Sequence, residues 1–324
     1  MGVLEPRESA WHERDTGFRS EEELRDIKSV PSVAIVGAGG EGFPVALTLA
    51  TMGIRRFDIA EPDTVSQSNR NRLPVAATDV GRPKAEVLRE KILAINPDAD
   101  VRIYTEGLNQ ENVAAVLGRA TIAFDGSDLN RLDVGTLLAR EARRRDIPTV
   151  LSMSVGWAAI VTCFDPRSKW TFERFMGFPD TTSLEEIARM RPELSRAVAY
   201  LPNYGDFLTL LAVQIDGAEF PTIVEGVENA RSLAATEIFK IITRGQNHRA
   251  EPTWAPEVAY HDPYNHKAGV VRHRTVAYYR HLMAIMVRSL LGKNPHASYG
   301  RRQREERALE RMNASILGTL PMQP

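Results

Sequence analysis

The stretch Val33-Ala34-Ile35-Val36-Gly37-Ala38-Gly39-Gly40-Glu41-Gly42 decides how this chain is read. Four apolar residues in a row, cut off by glycines, fit a strand buried on both faces that ends in a tight turn. An apolar-periodic helix follows over residues 44–52, and Arg56-Phe57-Asp58-Ile59-Ala60 returns as a second strand. Strand, glycine turn, helix, strand is the opening of a βαβ unit. Gly37 and Gly39 let the backbone approach a ligand, and the helix beyond Gly42 offers unpaired N–H groups and a partial positive charge. Such a turn serves nicotinamide, flavin and ATP enzymes alike, so the choice among them rests on the residues downstream of Ala60.

Glu61 and Asp63 come directly off the second strand; Glu61 lies nineteen residues past Gly42, where an acidic side chain usually grips a ribose hydroxyl. Ser68-Asn69-Arg70-Asn71-Arg72 is crowded by Ser, Asn and Pro74 into a turn or a brief helix. Two arginines with interleaved asparagines fit an anion site better than a solvated face. After Asp79-Val80-Gly81-Arg82, a helix is predicted over residues 83–95, with Pro83 in its first turn. Lys84 then opposes the helix dipole, so a negative charge must hold it there, and a phosphate would do so.

Further strands are predicted at 101–104, 121–124, 149–153 and 159–164, and helices at 21–28, 111–117, 132–145, 183–190 and 204–215. The strand at 121–124 runs into Asp125-Gly126-Ser127-Asp128, at the strand end where doubly wound sheets bind ligands. Asp128 reads both as an acid for that site and as a cap for the helix beginning near Arg131. Arg140, Arg143, Arg144 and Arg145 suit a solvated helix end. Cys163, inside an apolar strand with no basic neighbour to favour its thiolate, reads as core. Trp170, Phe175 and Phe178 suit core packing better than a substrate wall. A long apolar helix follows Glu225-Gly226 and ends at Gly245. In the tail, His261, Asp262 and His266 are a weak metal pattern bent by Pro263; helices at 275–291 and 301–317 read as facing a partner or a second subunit.

The ordered series Gly-x-Gly-Gly-x-Gly, acidic-x-Asp-x-Val, Ser-Asn-x-x-Arg and Asp-x-Gly-x-x-Lys resembles that of the ThiF/MoeB family, adenylyltransferases that share their core with ubiquitin-activating enzymes. The resemblance covers residues 20–165 well and 222–245 moderately. It implies an α/β, Rossmann-like adenylation fold with a mostly parallel sheet flanked by helices. It further implies an N-terminal arm over 1–30, an ATP-binding domain over 31–245 with a substrate-shaping insert at 166–222, and a helical C-terminal extension over 246–324. By this resemblance ATP lies over Gly37, Gly39, Gly40 and Gly42, with its ribose on Glu61 and with Asp63 among the residues that bind it. Asn69 and Arg72 reach the triphosphate, Lys84 neutralises it, and Asp128 carries magnesium, with Asp125 as the alternative ligand. Arg14 or Arg19 of the arm would serve the neighbouring subunit's nucleotide, which implies a homodimer. The implied reaction joins a carboxylate, from a ubiquitin-like tail, a peptide or a small acid, to AMP and releases pyrophosphate.

Composition narrows the partners. Charged residues make up 26% and the net charge is −1, which gives no reason to expect nucleic acid or an anionic membrane. No 18 apolar residues run together and no leader pattern opens the chain, so a cytoplasmic protein is expected. A single cysteine excludes a four-cysteine zinc site within one chain and leaves no structural zinc to expect. Without an acceptor cysteine, the acyl-adenylate is expected to pass to an external amine or sulfur donor, or to react within the substrate. Two rivals stand. A nicotinamide-dependent oxidoreductase would use the same turn and Glu61 but leave Arg72, Lys84 and Asp128 idle; a non-catalytic relative would keep the fold as a scaffold.

Overall fold

A computed structural model describes residues 10–191, 193, 197–205, 220–244, 250–273, 275, 279–280 and 283–287. The predicted helices at 204–215 and 301–317 lie wholly or mostly outside these residues. Eight strands form one sheet: β1 Val33–Val36, β2 Arg56–Ala60, β3 Asp100–Tyr104, β4 Ile122–Asp125, β5 Thr149–Val155, β6 Ala158–Phe164, β7 Glu257–Asp262 and β8 Lys267–Arg272. Their order is β3-β2-β1-β4-β5-β6-β7-β8. The first five are parallel; β6, β7 and β8 are added antiparallel. Strand order reverses between β1 and β4, and the loops leaving these two strands therefore flank a natural crevice.

Helices α1 Glu21–Ser29, α2 Gly42–Thr51, α3 Lys84–Ile95, α4 Val113–Val116, α5 Leu132–Arg144, α6 Phe172–Met176, α7 Leu184–Ala188 and α8 Val224–Ile242 cover the two faces. Alternation along β1 sorts the layers: Val33 and Ile35 pack with Phe43, Leu49, Leu88 and Ile238, while Ala34 and Val36 pack with Val116, Leu117, Leu138 and Ala142. A third apolar cluster joins Leu151, Ile160 and Phe164 of the sheet to Phe172, Phe175, Met176 and Ile187. Phe175 and Phe178 are thus buried, as expected of core, and Trp170 is partly buried against the same cluster with the Arg174 guanidinium over its ring.

Three boundaries differ from the sequence reading. The helix expected at 44–52 starts at Gly42, because the turn feeds it directly. The N-terminal arm is not free after residue 20: Ser20 and Glu23 form a reciprocal capping box, and Ile27 of α1 is fully buried in the main core. The largest correction concerns 246–324. Within it, Glu257–Asp262 and Lys267–Arg272 are strands of the main sheet, not helices of an extension. Val258 is buried by β6 and its cluster, which gives this short stretch a place in the sheet that its own composition does not announce. Helical residues 283–287 do fall in the helix predicted at 275–291. The His261–His266 stretch forms the hairpin: His261 Nδ1 lies 2.7 Å from Asn229 Oδ1, and Asp262 accepts the Tyr200 hydroxyl at 2.6 Å and the Asn265 amide at 2.7 Å. Those bonds engage the Asp262 carboxylate and one ring nitrogen of His261.

Candidate nucleotide site

The glycine turn leaves β1 with Gly37 at φ +86°, a left-handed conformation that disfavours a side chain. A Cβ on Gly37 would lie 2.4 Å from the Gly126 carbonyl oxygen, so the turn and the β4 loop touch through backbone alone. A Cβ on Gly42 would lie 1.9 Å from the Gly37 carbonyl oxygen, which closes the turn onto the start of α2. Gly42 is therefore a packing glycine and does not line the cleft, unlike Gly37, Gly39 and Gly40.

The cleft over this turn holds about 630 Å³ and is lined by Glu61, Asp63, Asn69, Arg72, Lys84, Asp125 and Asp128, among others. Such a volume is ordinary for a small-molecule site. Of the residues expected at the site, it omits Gly42 and Arg14. Arg14 is exposed and off the cleft of its own chain, and Arg19 pairs with Asp15 at 3.1 Å and lies over the Phe239 ring.

Lys84, at the start of α3 and 7% exposed, does find negative charge, but from carboxylates. Its Nζ lies 2.8 Å from Asp63 Oδ2 and 3.5 Å from Glu61 Oε1. This corrects the inference that a phosphate alone would hold it. Glu61 is buried and accepts the Ala38 N–H and, at 3.0 Å, the Asp63 N–H, so it fastens the glycine turn to the end of β2. Asp63, by contrast, keeps a side chain 67% exposed at the cleft. Arg72 donates to Ser68 O at 3.1 Å and Asn71 Oδ1 at 2.9 Å, and its stem packs 3.5 Å from where a Gly40 Cβ would be. Asn69 is 8% exposed, and its Oδ1 accepts the Ser66 N–H at 3.0 Å, which shapes the turn that carries Arg72.

Asp128 accepts the Asn130 N–H at 2.8 Å through Oδ1. It does not cap α5, whose cap position is Arg131. The residue is exposed at the cleft wall. Asp125 is sealed; burial raises its pKa, opposed by the Ser127 hydroxyl bonding Oδ1 at 2.6 Å. Among the described residues no group of three or more His, Cys, Asp or Glu is arranged to hold a metal by itself. Magnesium needs no such cage, because it usually takes one or two carboxylates and completes its shell with phosphate and water. Asp128, an exposed carboxylate at the cleft, fits that demand.

Two residues of the cleft were not singled out from the sequence. Arg131 lines it, and its pKa is raised first by the Asp133 hydrogen bond and further by Asp128 and Asp63. Its place three residues after Asp128 on a strand-end loop is the signal that would have found it. Glu41, inside the glycine turn, accepts the Ser154 N–H at 2.9 Å through Oε1, while Oε2 is buried without a partner among the described residues. Burial pushes its pKa up to about 7, with the Ser154 bond opposing. Cys163 is fully buried beside Glu237, and burial raises its pKa well above the usual thiol range.

A doubly wound sheet, a glycine turn at its switch point and cations opposite carboxylates above it define a nucleotide-binding α/β protein of the phosphate-cradling kind. The model of the ThiF family matches residues 12–277, through the β7–β8 hairpin. The chain belongs to the ThiF family. A sulfur carrier protein adenylyltransferase of Thermus thermophilus is 40% identical over 98 residues, which are 30% of this chain and 36% of that protein. The match therefore spans about a third of that relative. Among solved structures, PaaA superposes with a TM-score of 0.60 over 85% of this chain and 76% of its own at 16% identity. E. coli MccB crystallised with ATP does so at 0.59 over 83% and 72%, at 19% identity. At such identities these likenesses speak for the fold.

Proposed function

We propose that this chain uses ATP to adenylate a carboxylate. One observation carries the reading: Arg72, Lys84 and Arg131 converge with Asp63 and Asp128 on a single cleft above the glycine turn. A triphosphate carries more charge to balance than the pyrophosphate of a dinucleotide, so three cations with Asp128 fit it better. The relatives support the choice, since the one from Thermus thermophilus is named an adenylyltransferase and MccB was crystallised with ATP.

In this reading the triphosphate lies over Gly37, Gly39 and Gly40, against the N–H groups that begin α2, and the ribose lies at Glu61 and Asp63. Asn69 holds the turn that aims Arg72. Arg72, Lys84 and Arg131 balance the charge that gathers as a substrate carboxylate oxygen bonds to the α-phosphorus and the bond to the pyrophosphate oxygen breaks. Cations held in place by their carboxylate and carbonyl partners lower such a barrier without a general base, because they need little reorganisation during the reaction. Magnesium held by Asp128 would add charge neutralisation at the phosphates. Cys163 is unsuited as an acyl acceptor because it is sealed in β6, so an external nucleophile takes the acyl group. We place the protein in the cytoplasm as a homodimer, with Arg14 offered to the partner's nucleotide.

The test is exchange of labelled pyrophosphate into ATP with candidate carboxylates. Exchange that needs both the acid and Arg72 supports the reading; a melting shift with NAD and none with ATP overturns it in favour of the oxidoreductase.

A further inference from the structure

The cleft has two unlike ends, and the proposed reaction uses only one. Among the described residues, the cations that line it are Lys84, paired with Asp63, Arg72, bonded to Ser68 and Asn71, and Arg131, paired with Asp133 where α5 begins. The far end, bounded by β5, the start of α5 and α6, is apolar. Leu132 and Leu151 are 6% exposed and Met176 7%, and they continue the third core cluster. Leu129, Met153 and Phe220 are partly exposed where that cluster opens into the cleft. Among the described residues, the polar side chains nearby are those of Ser152, Ser154 and Thr222, with the carboxyls of Glu41 and Asp125 buried behind them.

This apolar end lies away from the base of the nucleotide. Glu61 and Asp63 at the end of β2 set the ribose side. In the adenylation reading the base beyond them is assigned to Pro62, Gly107 and Leu108, on the β3 side of the cleft. β5 is on the opposite side of β1 and β4, and it is the side left for the acid. Core residues open to a cleft gain from covering by an apolar group, and a glycine tail covers almost nothing.

Building on the adenylation reading, we infer that the acid joined to AMP is a peptide or protein tail whose last residue carries a bulky apolar side chain, received by Leu129, Met153 and Phe220. Three acetylated tripeptides test it in pyrophosphate exchange: acetyl-Ala-Ala-Leu, acetyl-Ala-Gly-Gly and acetyl-Ala-Ala-Glu. The leucine peptide is expected to exchange at least about tenfold faster than the glycine peptide, a ratio that a hydrophobic pocket readily supplies. Met153→Lys should erase that ratio and turn the preference toward the glutamate peptide, while an ATP-induced rise in melting temperature shows that the variant folds. A wild-type preference for the glycine or glutamate peptide, or none, overturns the inference and leaves adenylation standing. So does an unchanged leucine preference in a folded Met153→Lys protein. Exchange with none of the three above the peptide-free background overturns the inference, and a failure of ATP to raise the wild-type melting temperature overturns the adenylation reading with it.

Discussion

The two halves of the sheet are built under different constraints. The parallel half, β3-β2-β1-β4-β5, is covered on both faces; β1 and β4 are buried at every residue, and the cleft opens on their ends. The antiparallel half ends in β8, which is exposed at five of its six residues. In the first half backbone groups touch backbone groups, and a single methyl has nowhere to go. In the second, β6 is still buried at every residue, and only the outer strand β8 turns its side chains to solvent, where they tolerate exchange. The chemistry sits in the half without slack, because positioning to a fraction of an ångström needs a packed support.

This contrast can be broken by substitution. Arg72→Ala and Lys84→Ala should each lower pyrophosphate exchange by roughly 10²–10³-fold, the usual loss when a preorganised charge-stabilising group is removed. A fall under about threefold in initial exchange rates would place the anion site elsewhere. Gly42→Ala should destabilise by about 3 kcal/mol or more, since its methyl meets the Gly37 carbonyl; urea unfolding measures this.

Glu41 gives a pH-dependent test. Its folded pKa of about 7 is raised above that of an unfolded glutamate. The folded state therefore favours the proton, and stability is lost as pH rises from the unfolded value through about 7. Glu41→Gln should accordingly be more stable than wild type at pH 8, by on the order of 2 kcal/mol, and show no such gain at pH 4. Melting temperatures across that range decide it; a constant difference would remove Glu41 from the titration. At the other edge, Val270→Lys on β8 should change stability by no more than about 0.5 kcal/mol and leave exchange intact, which thermal melts and the same assay can check.

The parallel half was largely legible in the sequence because its signals are local. Val33–Val36 is an unbroken apolar run, the glycines mark its end, and Pro83 opens α3. The antiparallel half was not. Glu257–Asp262 mixes charged, aromatic and small residues, and it is a strand because β6, almost a hundred residues earlier, offers an edge. The same limit applied inside the cleft. That Lys84 is positively charged and near a ligand site could be read from its helix position, but its pairing with Asp63, twenty-one residues away, could not. Asp128 carried two local readings, and only the start of α5 at Leu132 removed the cap. Glu41 looked like an idle letter between glycines until Ser154 was brought against it.

The pairing of Lys84 with Asp63 means that the lysine arrives with a tenant already in place. An incoming anion must outcompete a tethered carboxylate, so a lone phosphate or sulfate gains little here, whereas a ligand that also engages the glycine turn and offers several charges at once displaces it readily. Selectivity against small inorganic ions is thus written into the resting arrangement of one lysine.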